Sequence, residues 1–220
     1  MSPKDAVNHL RDRYGAADDL VRRIYTKVNT EGIDMWNAHV LAGLLASAAA
    51  AEKHLRRGYE AKDVSYVCWA ARNLVELGIW CQFCREKENA RRFYQDSLRD
   101  LNGTMMAYQE LLEVINPSDE QRKLIGETRQ DTTELSESLG VHGGDTRFLP
   151  VSEAAEQLGK GIWFRKTNKI LSKLVHPTAY AVTTSITGSL FGRANEDFFM
   201  VGYYHALAVL ETIEFSPSAL

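Results

Sequence analysis

The stretch Val64–Cys84, VSYVCWAARNLVELGIWCQFC, decides the fold. Fifteen of its twenty-one residues are apolar, a proportion that on its own would suit a membrane span. Arg72, Asn73 and Glu76 stand at its centre, however, where charge is most costly in lipid. The segment therefore reads as a buried helix of a bundle, apolar nearly all round. DFFMVGYYHALAVL (Asp197–Leu210) has the same character, and these two are expected to be the central helices. AHVLAGLLASAAAA (Ala38–Ala51) carries small residues on several faces, so neighbouring helices can approach it closely.

Working outward, the rest of the chain shows helical spacing and no sustained period-two alternation. Ser2 with Pro3 marks a first helix start. Asp34 is expected to cap a helix ending near Arg57, terminated by Gly58, and Asp63 to cap the next, to about Arg85. A further helical stretch, continuous with it or separate, reaches Ile115. Ser118 with Gln121 makes a capping box for a polar helix over 119–139, whose thin apolar stripe is Leu124, Ile125, Leu135 and Leu139. Short helices are expected over 152–158 and 163–175, another after Pro177, and a last one from about Glu196 to Glu214 with Asn195 as cap. Flexible loops fall near 140–150 and 184–195. The expectation is an all-α, single-domain bundle of seven to nine helices spanning 1–220.

Composition narrows the function classes. Apolar residues make up 45 % and charged residues 25 %, with a net charge of −3. There is no global positive field to gather nucleic acid or an anionic membrane, and DNA is not an expected partner. Arginines cluster in HLRRG and ARRFYQDSLR, a pattern usual for solvated helix faces. Three cysteines, an odd number, and a polar start unlike a secretory leader point to the cytoplasm.

The candidate chemistry begins with Arg72 and Glu76, four apart on one helix face and on the stripe that holds Trp69, Trp80 and Phe83. Arginine before glutamate is the weaker order for an isolated helix, so propensity does not explain the pair. It reads either as a salt bridge that fixes packing or as a pocket where Arg72 binds an anion and Glu76 orients it or moves a proton. In LSKLVHPTAYAV (Leu171–Val182), Pro177 ends one helix and starts another, leaving His176 at a tight junction between apolar segments. His176 is expected to turn inward toward Arg72 and Glu76, or else to cap a kink.

Other signals are weaker. His205, on the apolar last helix, reads as a satisfied core histidine. Cys81 and Cys84 form a C-x-x-C pair late in a helix, without a second pair, and read as small apolar residues. No Glu-x-x-His pair, phosphate loop or nucleophile elbow occurs, so no metal and no cofactor are expected.

ARNLVELGIW followed about a hundred residues later by ILSKLVHPTAYAV is similar to a family of bacterial helical proteins in which an Arg-x-x-x-Glu helix accompanies a later Leu-Ser-x-x-x-His-Pro step. That family resembles HEPN-type domains, helical bundles of bacterial toxins, defence proteins and RNA-processing factors. The resemblance covers about a tenth of the chain by direct motif and highlights Arg72, Glu76 and His176. It implies a bundle, often dimeric, with a link to RNA. The chain departs from ribonuclease-active HEPN domains, whose arginine precedes a histidine by five to seven residues. Here Leu77, Gly78 and Ile79 stand in those places.

The leading expectation is a HEPN-like interaction protein of a bacterial defence or toxin-type system, built on a buried Arg72–Glu76–His176 cluster. A metal-independent ribonuclease or nucleotide-handling enzyme using those residues is the first rival, and a purely structural scaffold the second. RNA or a nucleotide is the expected ligand class. Central aromatic helices and a thinly apolar outer helix favour a homodimer.

Overall fold

The computed structural model describes residues 1–32, 34–114, 118–138, 147–175 and 194–215. The protein is all-α. Nine helices are assigned among the described residues: α1 (Pro3–Tyr14), α2 (Ala17–Glu31), α3 (Met35–Glu60), α4 (Val64–Phe83), α5 (Lys87–Val114), α6 (Asp119–Ser138), α7 (Val151–Gln157), α8 (Gly161–Val175) and α9 (Ala194–Glu214). None of the described helices is long and apolar enough to cross a membrane.

Local chemistry sets several boundaries. The Ser2 hydroxyl accepts from the Asp5 N–H at 3.2 Å, and the Asp5 carboxylate accepts from the Ser2 N–H at 3.3 Å, a reciprocal box that opens α1. Those bonds from Ser2 hold the Asp5 carboxyl below its usual range. Ser118 and Gln121 repeat the arrangement at α6, with the Ser118 N–H donating to Gln121 Oε1 at 2.9 Å. The Asp63 carboxylate accepts from the Tyr66 N–H at 3.0 Å and starts α4. Asp34 stands at the N-cap of α3, but its carboxylate pairs instead with Lys87 at 2.6 Å, tying the start of α3 to the start of α5.

Two expectations need correction, and one open alternative is decided. Gly58 does not end α3, which runs two residues further to Glu60. A Cβ on Gly58 would lie 3.0 Å from the Val67 nitrogen, so this glycine serves the close passage of α4. The left-handed residue of the turn is Lys62, with φ of 57°. α4 and α5 are separate helices, broken around Cys84–Glu86. Asn195 lies inside α9 as its second residue rather than before it. The expected helix after Pro177, both expected loops for most of their length, and Leu139 lie outside the described residues.

α4 is the hub. It packs against α3, α7, α8 and α9, while α9 also packs against α1 and α3. Val67, Cys68, Leu74, Val75 and Ile79 of α4 are wholly buried, as are Phe199, Ala206 and Val209 of α9. α2 and the first half of α5 lie on α3, and one continuous core joins α1–α5 with α7–α9. α6 stays outside that core and packs on α5.

Backbone proximity sets the central geometry. At Gly202 of α9, an added Cβ would lie 2.7 Å from Leu55 Cδ2 and 3.2 Å from the Ala71 Cα. Three helices thus meet where only hydrogen fits. Gly202→Val is expected to lower unfolding free energy by about 1–3 kcal/mol through overpacking. Gly126→Ala, on exposed α6 with nothing within 4 Å of the new methyl, should raise helix stability by about 0.5–1 kcal/mol. Urea denaturation of the two variants beside the parent measures both signs.

Candidate functional site

The stripe of α4 that carries Arg72 and Glu76 does not face the α9 core. It lies along the seam with α8 on one side and a groove against α3 on the other. Arg72 Nη2 pairs with Glu76 Oε1 at 3.1 Å, and Arg72 Nε donates to Asn168 Oδ1 of α8 at 2.8 Å. The Ser172 hydroxyl donates to the same Asn168 oxygen at 3.3 Å. The stretches ARNLVELGIW and ILSKLV are therefore side by side, joined through Asn168, a residue the sequence reading did not single out.

The pair is not sealed, however. The Arg72 and Glu76 side chains are 30 % and 25 % exposed. For Arg72 and Glu76 the expectation of burial is corrected to a partly exposed ion pair. The reason lies in α4 itself: its inward face is filled by Leu74, Val75 and Ile79, and the charged stripe is rotated to the boundary. His176 and Pro177 lie outside the described residues.

Glu76 links the seam to the groove. A cavity of about 420 Å³ runs between α3 and α4, lined by His54 of α3 and by Trp69, Asn73, Glu76, Leu77 and Trp80 of α4. Its floor is made of Ser47, Ala50 and Ala51, small side chains one helical turn apart that leave the space open. Trp69 and Trp80 stand eleven residues apart, so they mark the two ends of a groove about 16 Å long. Trp69 is 39 % exposed. Its ring is held by Tyr66, stacked at 5.8 Å, and by His54, edge-on at 5.4 Å. The Tyr66 hydroxyl is hydrogen-bonded to His54 Nδ1, and Asn73 Nδ2 donates to the Trp69 carbonyl at 2.9 Å. Trp80 is fixed by Phe93 at 4.9 Å. The groove thus offers two rigid aromatic faces, with a carboxylate and an amide between them.

The other candidates resolve differently. Glu52 is the most deeply buried carboxylate among the described residues, at 1 % exposed. Arg56 engages both of its oxygens, the second at 3.3 Å. This pair, in the favourable Glu-before-Arg order on α3, is a largely buried structural salt bridge. Cys68, Cys81 and Cys84 are free and buried, and burial pushes the first two thiols up to about 12. They are inert apolar residues at neutral pH. Among the described residues no group of three or more metal-ligating side chains stands together.

Three of the four described histidines bond a tyrosine hydroxyl through Nδ1: His54 with Tyr66, His9 with Tyr203 at 2.8 Å and His39 with Tyr25 at 2.9 Å. His205 is the exception. Its Nδ1 is buried with no partner among the described residues, which corrects the expectation of a satisfied core histidine. The ring is stacked on Trp163 at 5.0 Å and leans on Gly78, where a Cβ would lie 2.8 Å from Nδ1. The absent side chain of Gly78 makes room for this ring, a signal that one sequence cannot disclose.

No family model matches the chain, and no curated protein or solved structure is significantly similar to it.

Burial, reinforced by the nearby Lys160 ammonium, lowers the His205 pKa from 6.5 to about 4. Between those values the unfolded chain binds a proton that the folded chain refuses, so stability falls as pH drops from 6.5 towards 4. In His205→Phe, which keeps a ring on Trp163 without the titration, that fall should be shallower. Urea midpoints measured across this pH range test the difference.

Proposed function

We infer that the protein is a binding bundle, HEPN-like in its role within a bacterial defence or toxin-type system, whose α3–α4 groove takes single-stranded RNA. The observation that carries the reading is Trp69: a half-exposed indole, locked by Tyr66 and His54, at the mouth of a groove with Asn73 and Glu76 inside. Unpaired bases stack on such faces and present donors and acceptors on their edges. The Glu76 carboxylate accepts from an exocyclic amino group or ring N–H. Asn73 spends one of its two amide hydrogens on the Trp69 carbonyl, which leaves the second N–H to donate to a base and Oδ1 to accept from it. Arg72, beside Glu76, supplies the cation for a phosphate at the groove edge.

Binding is favoured over cleavage by the state of Arg72. Its guanidinium is already bonded to Glu76 and Asn168, which suits holding and positioning. An acidic chain with one cation at the groove relies on stacking, so salt should weaken the complex only slightly.

Tryptophan fluorescence titrated with single-stranded RNA oligonucleotides tests this reading. Quenching is expected on binding, and Trp69→Ala should lose about 1–3 kcal/mol, the contribution of one stacked base. Unchanged affinity in Trp69→Ala would remove the groove from the function. Gel analysis of the same samples should show intact RNA. Cleavage abolished by Arg72→Ala would establish the ribonuclease reading instead.

A further inference from the structure

Two surfaces of the chain that the groove does not use match each other. The first is the hairpin made by the second half of α5 and by α6. Its seam buries Leu112 and Ile125, both outside the continuous core. Tyr108, Leu111, Val114 and Leu124 are left exposed, Val114 by 82 %. Burial of Leu112 and Ile125 is the apolar contribution that holds the seam. Helices in proteins draw most of their stability from tertiary packing, so two anchors leave α6 weakly held. The hairpin is an apolar surface in want of cover.

Its charge says what can cover it. Residues 101–114 and 119–138 carry eight acidic side chains against three basic ones, Arg122, Lys123 and Arg129. Two of those cations are already committed within the hairpin, Arg122 to Glu113 at 3.2 Å and Lys123 to Glu127 at 3.6 Å. Hairpin against hairpin would set like charges together, and nucleic acid would be repelled. The cover must be basic and partly apolar.

The second surface is the outward face of α8. This helix holds four basic residues and no acidic one. Its exposed side chains include Ile162, Trp163, Lys166, Lys169 and Ile170, with lysines and large apolar groups interleaved. Lys166 and Lys169 have no acidic partner among the described residues, whereas Arg165 is already paired with Glu156. Within one copy, α8 packs on α4 and α7 and α6 packs on α5, so the two surfaces are built on different elements.

We propose that the protein forms a two-fold dimer in which the acidic hairpin of each copy lies on the basic face of α8 in the other. Such a contact is reciprocal, occurs twice and closes, as most homodimer contacts do. Opposite charges set the register while Leu111, Val114, Ile162 and Ile170 supply the apolar burial.

Light scattering on protein freed of nucleic acid tests this independently of any RNA. The parent chain should have the mass of a dimer and dissociate as salt is raised. Lys166→Glu with Lys169→Glu, and separately Asp131→Lys with Glu134→Lys, should each halve the mass, both pairs being exposed and away from the core. Mixing the two monomeric variants should restore a dimer, since each then presents the charge its partner lacks. A parent chain monomeric at high micromolar concentration would overturn the proposal. So would a dimer untouched by either double substitution, or variants that stay apart on mixing.

Discussion

The structure depends on how closely α3, α4 and α9 approach one another. Where they cross, Gly58 meets the backbone of Val67, and Gly202 meets Leu55 and Ala71. Interiors are packed to crystal density, so side chains cannot simply be added at such crossings. All the other described helices but α6 take their place from this trio. α1 and α8 rest on its members, α2 and α5 lie on α3, and the groove exists because α3 presents serine and alanine where α4 presents tryptophan.

Much of this architecture was legible in the sequence, for identifiable reasons. Apolar residues all round two segments marked the central helices, and the Ser2 cap and the reciprocal Ser118–Gln121 contact followed from short-range stereochemistry. Gly58 misled because a glycine after two arginines looks like a helix end. Its actual role, admitting α4, depends on a residue nine positions away in the chain and on its orientation in space. The placement of Arg72 and Glu76 failed for a related reason. Spacing puts them on one face of α4, but only packing decides whether that face looks into the core or along its edge.

The electrostatics divide along the same line. Glu52 is buried beside Arg56, where desolvation of the carboxylate is severe and two hydrogen bonds offset it. Arg72 and Glu76 keep access to water, so their charges remain available to something arriving from outside. Asn168 ties Arg72 of α4 to α8 and was invisible as a candidate, since an asparagine within a helix carries no pattern of its own.

The three thiols carry a last consequence. All belong to α4 or its C-terminal cap, and none reaches solvent in the folded chain. A cysteine-directed reagent therefore meets sulfur only when the central helix departs from its neighbours. The molecule holds an intrinsic clock for that opening, and modification of its sulfurs records the escape of the hub itself rather than fraying at the periphery.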